Sequence, residues 1–217
     1  IQVIEIDDNF MITVTQRVEN NSKRPITTHP YGRIVRTDTP TTLGFYILHE
    51  GPIGVFNDTL KEVDYDDLVE GPVDTTNSTG GWIGITDKYW LTALIPEQKT
   101  PYAGSFRYSQ PNKQDTYQAD FMLQAPQVIA PGATARAISH FFAGAKEVHL
   151  LDKYEEQLGI ARFDLAVDFG WFYFLTKPLF FVLDYFFKML GNFGLAILLL
   201  TVCVKAIFFP LANKSYK

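Results

Sequence analysis

Short runs of alternating apolar and polar residues fill the first three quarters of the chain. The runs are rich in β-branched and aromatic residues, and turn formers such as Gly51-Pro52 and residues 77–81 separate them. This pattern predicts a mainly β fold, a sandwich of antiparallel sheets, rather than a wound α/β sheet. The predicted strands cover residues 2–6, 11–18, 44–49, 82–95, 117–123 and 134–142.

One helix interrupts the β pattern. Within residues 145–158, apolar residues recur at helical spacing from Val148 to Leu158, and Gly159 ends the run. The pattern therefore predicts a single helix attached to the β sandwich.

From Phe163 onward the chain becomes strongly apolar, and this last quarter holds 11 of the 18 Phe residues. Residues 176–190 predict a helix with Thr176 as its N-cap, Pro178 in its first turn and Gly191 as its C-terminal stop.

The charged residues of this helix, Lys177, Asp184 and Lys188, share a stripe about 40° wide on an otherwise apolar cylinder. Such a helix either fills the core of a large domain or lies in a membrane interface with its stripe in water. Nearby aromatic residues with one polar atom favour the interface and are expected to anchor the helix there. These residues are Trp171, Tyr173 and Tyr185.

The next segment predicts a transmembrane helix at residues 192–212. Residues 189–213 are 25 long and carry one charge, Lys205, whereas a bilayer core needs about 20 apolar residues in a helix. A buried helix of a soluble domain is the alternative, but a domain of this size rarely encloses a helix that is apolar all round. Because Lys214 and Lys217 follow the span, the positive-inside rule predicts a cytoplasmic carboxyl end and an external β domain.

Lys205 is the residue of this span that we expect to be functional. It lies 12 residues beyond Phe193, about 18 Å along the helix. A cation at that depth costs about 2.5–3.5 kcal/mol unless it meets protein, water or another charge. The alternative is a lysine that snorkels to the cytoplasmic headgroups. Pro210 is expected to kink the helix near Lys205, as in helices that line hydrated cavities.

The distribution of charge divides the chain at about the same place. Residues 1–162 hold 14 basic and 21 acidic residues, a net of −7, and residues 163–217 hold 5 and 3, a net of +2. The acidic part repels phosphate, so nucleic acid is not an expected partner. The apolar content excludes a disordered chain. Because the chain starts at Ile1 and ends beside an apolar run, we expect a fragment of a longer protein.

These patterns predict five successive segments of the chain. They are a β-sandwich domain at 1–162, a junction at 163–175, an interfacial helix at 176–190, a transmembrane helix at 192–212 and the start of a cytoplasmic segment at 213–217.

The β domain has no pattern that predicts a catalytic, metal or cofactor site. Its four His residues stand singly. The acidic cluster at residues 64–67 lacks the oxygen ligand and the Gly that an EF-hand requires, so a solvated loop is expected there. Trp82, Tyr89 and Trp90 follow alternating strand spacing and are expected in the core, with stacking on a sugar as the alternative.

Three segments resemble the YidC membrane-protein insertase family. GGWIGITDKYWLTALIP at residues 80–96 resembles the family's ectodomain signature. DFGWFYFLTKPLF at residues 168–180 resembles the start of its interfacial helix, and GNFGLAILLLTVCVKAIFFPLANKSY at residues 191–216 resembles its first core helix. These extended motifs occur in the family's order, whereas residues 1–79 carry no comparable motif.

The resemblance implies a periplasmic β-supersandwich, an interfacial helix on the bacterial inner membrane, and core helices that form a cationic hydrophilic groove. It implies a non-enzymatic insertase and chaperone without a cofactor, whose partners are nascent membrane proteins, lipid bilayer and the Sec translocon with its accessory factors. The ribosome is an implied partner through parts outside this sequence. Lys205 matches a groove position that is usually arginine in the family, and lysine keeps the charge without the planar fork of donors.

Two other functions remain open at this stage. Carbohydrate-modifying enzymes also use the supersandwich that the resemblance implies, so a membrane-anchored domain that binds or modifies carbohydrate is the alternative. A third interpretation is an interaction module that docks partners on its sheet edges or on the helix at 145–158.

Overall fold

A computed structural model describes residues 1–41, 48–71, 73–170 and 172–215. Residues 44–47 of the strand predicted at 44–49 lie outside the described residues. The chain forms two compact units, Ile1–Asp168 and Phe169–Lys217. Residues 163–168, which the sequence pattern assigns to a junction, therefore pack with the first unit.

The first unit is an antiparallel β sandwich, as predicted. Its strands are β1 Gln2–Ile6, β2 Met11–Glu19, β3 Ile26–Thr28, β4 Tyr31–Thr37, β5 Gly51–Phe56, β6 Thr59–Glu62, β7 Val73–Thr79, β8 Gly81–Thr86, β9 Trp90–Ile95, β10 Pro101–Ser109, β11 Thr116–Leu123, β12 Gln127–Ile129 and β13 Thr134–Ala145. The larger sheet has the strand order β1-β2-β13-β9-β8-β5-β6, and the smaller sheet has the order β4-β11-β10-β7. Strands β12 and β3 form a separate ribbon.

The prediction of one strand at residues 82–95 is wrong, because this segment is a hairpin. The Asp87 N–H donates to the Trp90 carbonyl at 2.8 Å and closes a turn between β8 and β9. The turn predicted at Gly51-Pro52 lies inside strand β5, whereas the turn predicted at residues 77–81 contains the connection between β7 and β8 at Gly80. At Gly51 the reason is close packing, since a Cβ there would lie 3.0 Å from the Val63 carbonyl oxygen.

The acidic cluster at 64–67 begins a short helix, α1 Tyr65–Glu70, and is not the predicted loop. Asp66 and Asp67 occupy its first turn, where the attraction between their negative charges and the positive end of the helix dipole stabilises the helix. Tyr65 and Leu68 are buried and hold the helix against the sandwich. Burial of these two side chains overrides the turn-like composition of the segment.

An aromatic core fills the space between the two sheets. Ile83 and Leu94 contribute to it from the larger sheet, and Tyr117 and Phe121 from the smaller sheet. Several of the rings meet edge to face, as in the pair of Tyr102 and Phe121, whose centroids are 6.2 Å apart. This geometry is favourable beyond the area that the rings bury.

A second core lies on the opposite face of the larger sheet, under helix α2 Val148–Leu158. Leu151 and Tyr154 of the helix are buried there with Trp82, Phe142 and Phe163. Gly159 ends the helix in the left-handed conformation, with φ 65°, as predicted.

The second unit contains helices α3 Tyr173–Leu190 and α4 Phe193–Ser215. The prediction of Thr176 as the N-cap of the first helix is wrong. The N–H groups of Leu175 and Thr176 both donate to the Phe172 carbonyl at 2.8 Å, so the helix has already begun. Gly191 ends α3 with φ 64°, as predicted, and its N–H donates to the Phe187 carbonyl.

Candidate functional site

Helix α4 is long and apolar enough to cross a membrane. The window from Phe193 to Pro210 has a mean hydropathy of 2.2, and only 6% of it is buried. A core helix of a soluble protein would bury most of this surface. The side chain of Asn192 accepts a hydrogen bond from the Leu195 N–H at 3.1 Å and thereby caps the start of the helix.

Lys205 stands inside this apolar window and is exposed. Within the described part of the chain its ammonium has no ion-pair partner. The acidic residue Asp184 of the same unit is engaged elsewhere, at 2.6 Å from Lys188. Lys205 is therefore a cation within the apolar window of α4 that has no ion-pair partner among the described residues.

Pro210 lies within α4, and the helix continues past it to Ser215. Its ring cannot donate to the carbonyl one turn back, at Ala206. The kink expected near Lys205 stays a prediction, as does the contribution of Pro210 to a hydrated cavity.

The polar stripe of α3 is built from two interacting pairs. Asp184 and Lys188 form an i,i+4 ion pair with 2.6 Å between the carboxylate oxygen and Nζ. One end of the stripe carries Lys177, whose Nζ lies 5.5 Å from the centroid of the Tyr173 ring. Both pairs join neighbours on one side of the helix, so the charges remain grouped while the other faces are apolar.

Tyr185 and Trp171 are the remaining residues expected to anchor α3. Tyr185 is exposed over 62% of its surface. Trp171 lies outside the described residues. The placement of this helix in a membrane interface stays a prediction, which an exposed, mainly apolar surface supports.

The prediction that Tyr89 and Trp90 belong to the core is wrong. Trp82 is fully buried, but Tyr89 and Trp90 are exposed over 65% and 62% of their surfaces. The alternation on which the prediction rested ends at the turn between β8 and β9. A sequence signal was available in the dipeptide Asp87-Lys88, because two successive charged residues are typical of a turn rather than of a buried strand.

Two of the four His residues of the β domain, His29 and His49, are positioned by backbone carbonyl groups. Nδ1 of His29 lies 2.9 Å from the Leu123 carbonyl oxygen, and Nε2 of His49 lies 3.0 Å from that of Pro52. His140 is half-buried, and this burial lowers its pKa. In the described residues, no group of three His, Cys, Asp or Glu side chains is arranged to hold a metal ion.

A small cavity of about 220 Å³ lies between β1, β2, β13 and α2. Asp7 and Tyr154 line it, and the Tyr154 hydroxyl donates to the Asp7 carboxylate at 2.6 Å. Burial raises the pKa of Asp7, but hydrogen bonds from Tyr154 and from the N–H groups of Met11 and Asn9 outweigh it, so the pKa is lowered. Burial and the bond to Asp7 raise the pKa of Tyr154. Both shifts lead away from neutral pH, so this pair is poorly suited to general acid–base catalysis.

Comparison with known proteins gives a consistent family. A family model described as the YidC periplasmic domain matches residues 1–182. The membrane protein insertase YidC of Methylobacterium nodulans is 46% identical over 225 residues, which cover 99% of this chain and 37% of that protein. The membrane protein insertase YidC of Rickettsia bellii is 44% identical over 215 residues, which cover 99% of this chain and 38% of that protein.

Among solved structures, a TPR-domain containing protein from Parabacteroides distasonis matches with a TM-score of 0.40 and 12% identity, over 64% of this chain and 28% of that one. A likeness at this level does not indicate a shared function. The chain spans less than two fifths of the length of the curated relatives named above. The match over residues 1–182 includes the whole β sandwich, and the chain therefore belongs to the YidC family, of which it carries the periplasmic domain.

Proposed function

We propose that this chain is part of a membrane-protein insertase, which helps integral proteins to insert and fold in the bacterial inner membrane. The observation that carries the proposal is Lys205, an exposed cation within an apolar helix that is long enough to cross a bilayer. The relatives named as insertases are longer than this chain, so the activity is proposed for the longer protein.

The position of Lys205 supports a physical mechanism. A substrate helix with a short acidic outer tail must desolvate that tail before it can cross the bilayer, and this step is costly. A cation in a hydrated groove part-way into the bilayer attracts the tail and lowers the barrier. The tail leaves when the apolar part of the substrate reaches lipid. This sequence of steps breaks no covalent bond, so the proposal requires no catalytic residue.

The proposed topology follows from charge at the ends of α4. Lys214 lies in the last turn of the helix, and no acidic residue follows Asp184 in the sequence. By the positive-inside rule, the carboxyl end faces the cytoplasm and the β sandwich lies in the periplasm. We further propose α3 as an interfacial helix, with its stripe of Lys177, Asp184 and Lys188 toward water.

The proposed partners are of two kinds. Nascent membrane proteins and lipid contact the groove and α4. The Sec translocon, its accessory factors and the ribosome are proposed through the family relationship alone.

Substitution of Lys205 in the full-length protein tests the mechanism. We expect Lys205→Ala to lower the insertion of substrates with acidic outer tails and to leave substrates with neutral tails unaffected. Lys205→Arg keeps the charge and should retain insertion. Lys214→Ala is the matched control, because it removes a cation from the end of the same helix. Wild-type insertion of acidic-tailed substrates by Lys205→Ala would contradict the electrostatic role.

A further inference from the structure

The turn between β8 and β9 exposes two large aromatic side chains beside a cation. Tyr89 and Trp90 are exposed over 65% and 62% of their surfaces. Nζ of Lys88 lies 5.0 Å from the centroid of the Tyr89 ring. Tyr and Trp rings with an apolar body and one polar atom collect at membrane–water interfaces, and a lysine stem beside them can reach the headgroups.

The rest of the domain holds this turn firmly. The Tyr89 carbonyl accepts a hydrogen bond from the Lys146 N–H at 2.9 Å, and Trp90 pairs with Ala145 across β9 and β13. The neighbouring Asp87 carboxylate forms a 2.6 Å ion pair with Arg36. Two aromatic rings are thus presented to solvent from a fixed backbone, although their exposure is unfavourable in water.

The turn is linked through Lys146 to Asp168, where the first unit ends. Nζ of Lys146 donates to the Thr86 hydroxyl at 2.9 Å. Burial lowers the pKa of Lys146, and the carboxylate of Asp168 is the first of several nearby acidic groups that oppose this effect. Such an influence requires Asp168 to lie near Lys146, because charge interactions fall with distance.

Asp168 is the last residue of the first unit, and Tyr173 begins helix α3 five residues later. Five residues span at most about 18 Å when fully extended. The chain thus passes from the neighbourhood of the turn into a mainly apolar helix within a short distance along the backbone.

We propose that Lys88, Tyr89 and Trp90 form a lipid-contact site, whose two aromatic rings enter the periplasmic interface of the bilayer that α4 crosses. The site rests on the membrane placement of α4, and it needs no part of the insertion mechanism. Charges of both signs lie near the turn. Lys88 is next to Asp87, and the backbone N–H of Lys88 donates to the Glu50 carboxylate at 3.2 Å. The contact therefore depends on the rings and changes little with salt or with the content of anionic lipid.

Depth-dependent fluorescence quenching tests this site in the full-length protein. The protein, with its cysteines replaced by serine, carries Lys88→Cys labelled with an environment-sensitive fluorophore and is reconstituted into phosphatidylcholine vesicles. Lipids with a nitroxide at the headgroup act as quenchers. The control label is at Val128→Cys, a residue of β12 with 69% exposure, similar to that of Tyr89. We expect severalfold stronger quenching at position 88 than at position 128.

The double substitution Tyr89→Ser and Trp90→Ser is then added to the labelled Lys88→Cys protein. Quenching at position 88 should fall to the level of position 128, while both proteins still float with the vesicles. Flotation tests the membrane placement of α4, and a separate insertion assay tests the proposed function. Quenching at position 88 tests the lipid-contact site alone, so the three proposals can fail independently.

Three results would overturn the lipid-contact site. They are equal quenching at positions 88 and 128, quenching that survives the loss of both rings, and quenching that a soluble oligosaccharide abolishes. The last result would assign the rings to carbohydrate binding instead.

Discussion

Trp82 and Phe163 meet edge to face in the core under α2, with ring centroids 5.6 Å apart and planes at 82°. Both side chains are fully buried. The indole N–H of Trp82 also donates to the Arg162 carbonyl at 3.3 Å. Strand β8 therefore helps to fix the segment that leads out of the domain, through one aromatic contact and one hydrogen bond of Trp82.

Phe163→Ala should destabilise the β sandwich by about 3–5 kcal/mol, because it removes a fully buried ring and leaves a cavity against Trp82. Urea unfolding of the detergent-solubilised protein, followed by tryptophan fluorescence, measures the change. Val128→Ala is the control, and its effect should stay below about 0.5 kcal/mol because the side chain is exposed. Equal effects of the two substitutions would show that the buried Phe163 ring contributes nothing to stability.

Gly81→Ala should destabilise the domain more than Gly132→Ala. Both residues have positive φ, 93° and 76°, so each alanine incurs a similar backbone strain of about 1–2 kcal/mol. At Gly81 a Cβ would also lie 1.9 Å from the Val55 carbonyl oxygen, whereas at Gly132 it meets no atom within 4 Å. The clash should add about 1–3 kcal/mol. Thermal unfolding of both variants under one condition measures this difference, and equal melting temperatures would contradict it.

Tyr154→Phe should reduce stability at neutral pH and have a smaller effect in acid. The lowered pKa of Asp7 depends partly on the hydrogen bond from Tyr154. Asp7 therefore stabilises the fold above its unfolded pKa of about 3.9, and this contribution is lost as the pH falls through the lower folded pKa. Loss of one such bond costs about 1 kcal/mol.

Urea unfolding of wild type and of Tyr154→Phe at pH 7 and near pH 2 measures this pH dependence. Asp7→Asn serves as the control, because it removes the titrating group. Its free energy of unfolding should fall less between pH 7 and pH 2 than that of wild type, as for Tyr154→Phe. A difference between wild type and Tyr154→Phe that stays constant from neutral to acid pH would rule out the linkage to Asp7.

Cysteines on opposite sides of α3 should differ in their reaction with a charged maleimide. Leu175 and Lys188 are both exposed, and they lie about 140° apart around the helix. In vesicles, Lys188→Cys should react rapidly from the polar stripe, whereas Leu175→Cys should be protected by lipid. Both variants also carry Cys203→Ser. Similar rates in vesicles would contradict the interfacial placement of α3.

The same labelling in detergent-free urea provides the reference rate for each thiol. Both cysteines should then react at similar rates, since neither lipid nor the folded helix protects them.

The sequence predicted those parts of the fold whose pattern is local. The alternation in Met11–Glu19 and in Thr134–Ala145 marks strands that the structure contains, and the glycines at 159 and 191 end helices in the left-handed conformation. The edge strand β1 was predicted, whereas β3, β4, β5, β6, β7, β10 and β12 were not. In Val73–Thr79 the residues are mostly small and polar, and pairing with β10 keeps the segment extended.

For the candidate site too, local features could be predicted from sequence and features that depend on strand pairing could not. Lys205 could be identified from sequence, because one charge in an apolar run is visible without a structure. The exposure of Tyr89 and Trp90 could be predicted only in part. The charged dipeptide Asp87-Lys88 indicates a turn, but which residues flank the turn depends on the pairing of β8 with β9.

The sequence by itself determined that an acidic β domain precedes an apolar, basic segment, because net charge and hydropathy are sums over residues and require no contacts. The tertiary structure decided which aromatic residues of that domain are buried. Trp82 and Phe163 meet across 80 intervening residues, whereas Trp90 lies at a turn and faces solvent. Burial depends on which strands and helices pack together, and that packing joins residues that are distant in the chain.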